Sequence, residues 1–530
     1  MIHNIYNYFF TRATIAKPLA SSGTTTARNY STNNPVVPPK TLHKFHPRLQ
    51  SIIQQLDGIA PRFPLNKGDI DIITHPEVFY ECLKEKIKGA QKRVFLSSLY
   101  IGKAQTELAS TIEEALSSND QLKVHILTDC LRGTRESPHK PLSASMLVKL
   151  VEKFGKHRVD IRMYHTPHLH GLTKSLAPRR INEGWGLQHM KLYGFDDEII
   201  LSGANLSQDY FTDRQDRYYL FKNKPLTDYY FNIQKAVSLI SYQLVGASDH
   251  MKKTLKLDFR LDWPSANKSC EPHLNIQRFL IDLSYLLEPL LKQQDLGTFE
   301  EYDDTHEFDT LVYPISQFTP LMNPQRDHST EKPAILRILL YLDSPKIKWW
   351  FTAGYFNMHP EIQERLLNGA AEGKVITASP LANSFYKSTG VSYYLPEAYL
   401  LLAKNFLDSV NAIGKQSLIK VYEWKNGVVN TPGGWSYHAK GLWVTVPDEN
   451  EPSISVIGSS NYTKRAYLLD LETNAIVVTK DPELKKAMKG EIDNIMEHAL
   501  QLNAEDFTEE KGRKLSSGVK WAVKLVGDKL

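Results

Sequence analysis

Two short stretches of this chain hold the residue types needed to move a phosphoryl group. The first reads Gln188-His189-Met190-Lys191, followed by Asp196, Asn205 and Asp216; the second reads Tyr437-His438-Ala439-Lys440, followed by Asn461 and Glu472. In both, a carboxylate stands eleven residues beyond the asparagine. Extended backbone sends residues i and i+2 to the same side, so each histidine shares a face with its lysine. A neutral imidazole attacks phosphorus to give a covalent phosphohistidine, dividing one hard displacement into two. A second, protonated imidazole gives its proton to the departing oxygen and takes one from the incoming alcohol. Asp216 and Glu472 are each expected to accept the other ring N–H of one histidine. Lys191, Lys440, Asn205 and Asn461 are expected to donate to the non-bridging phosphate oxygens, so neither a metal nor another cofactor is called for.

A bare His-x-Lys is weak evidence, because 18 histidines give about one such match by chance. His250-Met-Lys252 is that match: it has no apolar hairpin after it, no Gly-x-Asn and no repeat. The other two sit in duplicated surroundings. Arg93–Tyr100, Leu122–Thr128 and Val159–Tyr164 read as strands, separated by helical patterns at Pro76–Lys92, Thr106–Ser118 and Ser143–Phe154. Lys348–Tyr355, Pro360–Gly373 and Lys374–Ala378 repeat the scheme in the second half. The fold class expected is α/β, with two duplicated domains, each a central mixed sheet flanked by helices, sharing one site at their interface. Lys191–Phe195 and Glu198–Ser202 read as a hairpin turning at Asp196-Asp197.

The expected organisation is a leader and linker over 1–56, a first domain over 57–292, an acidic connection over 293–333, a second domain over 334–505 and a basic tail over 506–530. The leader reading rests on the absence of Asp and Glu before Asp57, with Arg12, Lys17 and Arg28 set among Thr, Ser and Ala, as in a mitochondrial transit peptide. The tail, with Trp521 among lysines, suits an anionic membrane surface or packing on the domain equally. A composition 42% hydrophobic and 23% charged excludes a chain disordered throughout. Three cysteines without CxxC spacing argue against a disulfide framework or structural zinc. No apolar run is long enough to span a bilayer, and no basic run with interleaved aromatics marks a nucleic-acid groove.

His189, Lys191 and Asp196 resemble the His-x-Lys-x(4)-Asp motif of the phospholipase D superfamily; the second copy departs from it, with Thr445 at the place of the aspartate. The stretches Asp129–Arg135, Ala378–Lys387 with Pro396–Tyr399, and Val421–Trp443 are similar to the eukaryotic mitochondrial phosphatidylglycerophosphate synthase family. That resemblance runs from about Phe63 to about His498. It implies CDP-diacylglycerol and glycerol 3-phosphate as substrates, CMP as by-product, His189 as nucleophile and His438 as acid and base. It also implies the matrix face of the mitochondrial inner membrane, with peripheral attachment. Arg132, Arg135 and Lys387 are candidates for the acceptor's phosphate, since a guanidinium fork binds phosphate bidentately. A phosphatidylserine synthase on the same fold, a nuclease or phosphodiesterase, and an inactive scaffold are the alternatives.

Overall fold

The computed structural model describes residues 42–134, 142–169, 182–292, 308–508, 510–511, 513 and 515–526. Within the unit Lys40–Leu530 lie two nine-stranded mixed sheets. In spatial order the first runs Phe259–Asp262, Tyr242–Gly246, Val159–Tyr164, Lys123–Asp129, Arg93–Ser97, Leu192–Phe195, Glu198–Ser202, Tyr218–Phe221 and Ile70–Ile73. The second runs Phe63–Leu65, Thr310–Gln317, Glu472–Thr479, Ile454–Ile457, Lys440–Val444, Lys348–Ala353, Glu372–Ala378, Ile419–Trp424 and Ala499–Leu502. The centres match strand for strand: three parallel neighbours, then an antiparallel run that begins at the His-x-Lys segment.

The parallel strands are continuous apolar runs because both of their faces are covered. Helices Pro76–Gly89, Thr106–Ser118 and Ser143–Phe154 cover one face of the first sheet through Phe79, Leu108, Ile112 and Leu147. Helices Glu331–Leu340, Pro360–Asn368 and Leu395–Ala412 do the same for the second. A third core, with Leu192, Leu201 and Tyr219 from one half and Trp443, Ile457 and Val477 from the other, joins the two halves.

Two expected boundaries move. Leu49, Ile52, Ile53 and Leu56 repeat at helical spacing on Pro47–Asp57, and that stripe packs into the second half's core. Asp57 accepts hydrogen bonds from the Tyr313 hydroxyl at 2.8 Å and the Arg62 guanidinium at 2.7 Å. Leu42–Asp57 therefore belong to the fold rather than to a leader and linker over 1–56; residues 1–41 lie outside the described residues. The adjoining Phe63–Leu65 is an edge strand of the second sheet although it precedes the whole first half. The acidic connection also shortens, because its run of acids ends at Asp309 and the apolar Thr310–Gln317 is a fully buried strand; residues 293–307 lie outside the described residues. His250 and Lys252 sit on the short helix Asp249–Leu255, and Lys252 pairs with Glu152 at 2.8 Å, as suits a chance match on the surface.

Beneath the His-x-Lys segments a buried ion pair crosses between the halves. Arg217 Nε lies 2.8 Å from Glu491 Oε1 and Arg217 Nη2 lies 3.0 Å from Glu491 Oε2, on side chains 1% and 3% exposed. Arg217 also donates to the carbonyls of Lys440 and Val456, and its guanidinium lies 3.8 Å from the Trp443 ring centre. Gly441, with φ at +144°, leaves room for it: a Cβ there would stand 1.8 Å from Arg217 Nη1. Tyr219 and Trp443 complete the donors to Glu491. Arg217→Leu is expected to cost about 3–5 kcal/mol, because Glu491 stays buried and unpaired. Adding Glu491→Leu should recover part of that loss, as read by denaturant unfolding of the single and double variants.

Candidate active site

Each His-x-Lys segment reaches across to the other half. Gln188 bridges Leu471 in parallel, and the His189 amide donates to the Leu471 carbonyl at 2.9 Å. In the mirror arrangement Ser436–Tyr437 pairs in parallel with Arg214–Gln215, and the His438 amide donates to the Gln215 carbonyl at 2.9 Å. The side chains follow this crossing. His189 Nδ1 lies 2.6 Å from Glu472 Oε1, and His438 Nδ1 lies 2.6 Å from Asp216 Oδ2. The two carboxylates thus stand beside the two histidines, as their spacing suggested, but each serves the histidine of the other half.

Lys191 Nζ donates to the His189 carbonyl and Lys440 Nζ to the His438 carbonyl, both at 2.6 Å. An ammonium has three donors, so these contacts fix direction without using the group up. Lys440 Nζ also lies 2.7 Å and 3.1 Å from the two ring nitrogens of His438. The Tyr210 hydroxyl is 3.3 Å from His438 Nε2 and accepts from Asn205 Nδ2 at 3.1 Å. Among the described residues His189 Nε2 has no hydrogen bond, so the two histidines differ: one ring has an open nitrogen and the other is held at both. Asn461 Oδ1 is buried without a partner among the described residues.

Burial shapes the charges. It holds His189 well below the ordinary imidazole range, with Lys191 adding to the effect, and it does the same to His438, aided by Lys440 and Arg214. Desolvation lowers Lys191 to about 7 and Lys440 to about 8, and raises Asp216 to about 6 and Glu472 to about 7. The field of each lysine reaches the histidine of the opposite half, so the two clusters act as one site.

Asp196 is not part of it. It turns the hairpin with φ at +49°, and its carboxylate accepts from the amides of Gln91, Lys92 and Arg93 at 2.7–2.9 Å. At about 3.3 Å per residue it stands roughly 16 Å along the strand from Lys191. Although expected among the catalytic groups, it anchors the start of the Arg93–Ser97 strand. Thr445 does the same work in the second half, accepting from the Lys348 amide at 2.9 Å.

Of the candidate phosphate ligands, Arg132 stacks 4.8 Å from the Tyr100 ring centre and its charge acts on Tyr355, whose ring meets His438 edge-on at 5.4 Å. Lys387 is exposed, 5.3 Å from the Tyr386 ring centre, and is not brought to the histidines; Arg135 lies outside the described residues. Sequence reasoning missed Arg214 and Asp470. Each stands two residues before an orienting acid, so the alternation that pairs His with Lys would have found them. Arg214 donates to Ser436 Oγ at 2.9 Å, and Asp470 accepts from the Leu187 amide at 3.1 Å while pairing with Arg465 at 2.8 Å.

Also missed was Glu331, fully buried behind Glu472. Asn474 Nδ2 donates to Glu331 Oε2 at 2.8 Å, Asn474 Oδ1 accepts from the Ser459 amide at 2.7 Å, and the Ser459 hydroxyl donates to Glu472. No cation pairs with Glu331 among the described residues, and burial together with Glu472 raises it to about 8. The place behind Asp216 is apolar instead, with Tyr218 stacked on Phe79 at 4.3 Å.

The sheets and their order define the class: this is the phospholipase D-type fold, and a solved phosphatidylserine synthase of Haemophilus influenzae shares it, at a TM-score of 0.64 and 18% identity over 90% of this chain and 96% of that one. No protein-family model matches the chain. Three curated relatives carry the name CDP-diacylglycerol–glycerol-3-phosphate 3-phosphatidyltransferase. That of Saccharomyces cerevisiae is 50% identical over 88% of this chain and 89% of its own length. That of Schizosaccharomyces pombe is 41% identical over 85% and 93%, and the human one, named mitochondrial, is 31% identical over 92% and 86%. The chain belongs to this family of phosphatidyltransferases.

Glu331 supplies a test of the electrostatics. Its raised pKa means the folded state keeps a proton that the unfolded chain releases above about 4.5, so the group costs stability as pH rises from there towards 8. Glu331→Gln keeps the hydrogen bond from Asn474 and removes the titration. The variant is expected to be more stable than the parent by up to about 3 kcal/mol at neutral pH, with the difference vanishing below the ordinary glutamate pKa. Urea unfolding across that pH range measures it; a constant difference would contradict the assignment.

Proposed function

We propose that the chain transfers the phosphatidyl group of CDP-diacylglycerol to a hydroxyl of glycerol 3-phosphate, releasing CMP and forming phosphatidylglycerophosphate. The family supports the substrates. The observation that carries the chemistry is the pair of crossed histidine–carboxylate contacts, which puts two imidazoles and two lysines into one site.

His189 is the nucleophile, a reading supported by the open Nε2 opposite its bond to Glu472. Its lone pair attacks the phosphorus bearing the diacylglycerol. The P–N bond forms, the bond from that phosphorus to the CMP oxygen breaks, and CMP leaves with the electron pair. His438, protonated for this step, gives its proton to the departing oxygen. CMP then makes way for glycerol 3-phosphate, whose hydroxyl gives a proton to His438 as its oxygen attacks the same phosphorus and expels His189. Glu472 and Asp216 keep each ring in the required tautomer and stabilise its charged form. Lys191 and Lys440, with Asn205 and Asn461, hold the equatorial oxygens. Arg132 is the best-placed ligand for the acceptor's phosphate, given its position beside Tyr100 and Tyr355.

The work is done at a mitochondrial membrane, on the matrix face of the inner membrane. The name of the human relative, the acid-free leader and the two-chain lipid substrate support this. No described helix is long and apolar enough to cross a bilayer, which fits peripheral attachment.

Purified protein given labelled CDP-diacylglycerol is expected to release CMP in proportion to added glycerol 3-phosphate, and serine should not replace it. Acid-labile label should be trapped on the peptide containing His189 in single turnover, and His189→Ala should abolish it. Label on the His438 peptide would reverse the roles, and no CMP under any acceptor would end the proposal.

The lowered lysines set a second expectation. In the free enzyme Lys191 and Lys440 lose their protons as pH passes about 7 to 8, so kcat/KM should fall on that side. Bound diphosphate favours the charged amines and moves both pKa values up, so the alkaline limb of kcat should lie at higher pH than that of kcat/KM. Coincident limbs would show that the lysines do not hold the phosphate.

A further inference from the structure

The wall of the site on the His438 side is continuous with an exposed aromatic surface. Tyr355, edge-on to His438, bonds through its hydroxyl to Ser384 Oγ at 2.6 Å and packs against Phe385 at 5.6 Å and Tyr399 at 5.5 Å. Ser384 and Phe385 belong to the loop after the strand Glu372–Ala378, and Tyr399 to the helix Leu395–Ala412 that the loop enters. Between them the same loop carries Lys387, Tyr393 and Tyr394 outward, with the two tyrosines 58% and 55% exposed.

The helix Ser517–Val526 lies against the same helix. Its start is tied down by the Ser516 amide donating to Glu397, and the segment before it by Arg513 Nε, 3.1 Å from Glu423 Oε2. Val519 is buried and Val523 half-buried, so the i, i+4 stripe faces the protein. Trp521 points the other way, 67% exposed, with Lys520 and Lys524 exposed beside it. The tail thus packs on the fold and still leaves an amphipathic outer face. Neither 386–394 nor 515–526 contains Asp or Glu. Three large aromatics with polar tips among lysines, and no acid in either stretch, are the composition of a headgroup-level contact with an anionic bilayer.

We propose that the surface formed by Lys387, Tyr393, Tyr394, Lys520, Trp521 and Lys524 docks on an anionic phospholipid bilayer and sets the His438 side of the site against it. This rests on the lipid-substrate reading above. A diacyl substrate then enters along the loop from Tyr394 to Tyr355 with its acyl chains still in the membrane, and only its diphosphate needs to reach the histidines.

Flotation of the full-length protein with vesicles tests the surface separately from the chemistry. The parent is expected to float with phosphatidylcholine vesicles containing phosphatidylglycerol and to float poorly with phosphatidylcholine alone. Lys520→Glu with Lys524→Glu should weaken the anionic binding by more than about fivefold per lysine. Tyr393→Ser, Tyr394→Ser and Trp521→Ser together should weaken it about tenfold or more. The lysine pair and Trp521→Ser alone, which lie off the substrate's path, should turn over CDP-diacylglycerol in detergent micelles at the parent's rate, and Tyr285→Ala, which removes an equally exposed aromatic elsewhere, should float normally. A parent inactive in micelles would defeat the enzymatic reading whatever the vesicles show. The docking proposal is overturned if the patch variants float like the parent, if Tyr285→Ala is as damaging, or if light scattering shows that the patch instead closes a dimer.

Discussion

Each histidine of the site takes its carboxylate from the opposite half of the chain, and the rest of the structure is arranged around that exchange. A histidine whose Nδ1 lies 2.6 Å from a carboxylate has its tautomer fixed by it. Neither half alone can supply such a pair, so the halves must meet in one register. The parallel bridges of Gln188 with Leu471 and of Tyr437 with Gln215 set that register in the backbone. Below them, Arg217 reaches from one half into a donor cage for Glu491 of the other, where two buried charges tolerate little misplacement. A shift of either sheet would break these contacts together.

Symmetric geometry does not make symmetric chemistry. Two residues before the orienting acid, the first half has Arg214 and the second has Asp470, opposite charges at equivalent places. Arg214 disfavours the imidazolium of His438, whereas Asp470 favours that of His189. Behind the acids, the first half packs Tyr218 on Phe79 and the second places Asn474 and Glu331. Duplication supplies two copies of a scaffold, and the differences fall on the positions that touch the histidines or back their partners. At the far end of the strand, Asp196 and Thr445 differ in type yet do the same job, because only a side-chain acceptor for a backbone N–H is needed there.

Much of this was legible in the sequence, for reasons that have limits. The strands read correctly because those buried on both faces are uninterrupted apolar runs, and the two halves because the pattern repeats. The histidines, lysines and orienting acids were found together since period-two alternation and a fixed eleven-residue offset are local properties. Which acid serves which histidine was not local: it depends on strand pairing between segments more than two hundred residues apart. The helix Pro47–Asp57 was hidden by reading the absence of acids as one continuous leader, although its apolar stripe is plain at 49, 52, 53 and 56. Glu331 carried no signal at all, since a glutamate opening a helix ordinarily faces water.

The charge state of the site also follows from its burial. Two amines lowered to about 7 and 8 and two carboxyls raised to about 6 and 7 leave several protonation patterns close in energy near neutrality. A diphosphate entering this space adds negative charge that water cannot screen there, so it draws protons onto the lysines. The two imidazoles start from unequal positions: Asp470 already favours the imidazolium of His189, whereas Lys440 and Arg214 disfavour that of His438. Under the roles proposed for the histidines, His438 therefore becomes an acid only through the charge of the substrate itself, and the balance runs back once a charged product has left.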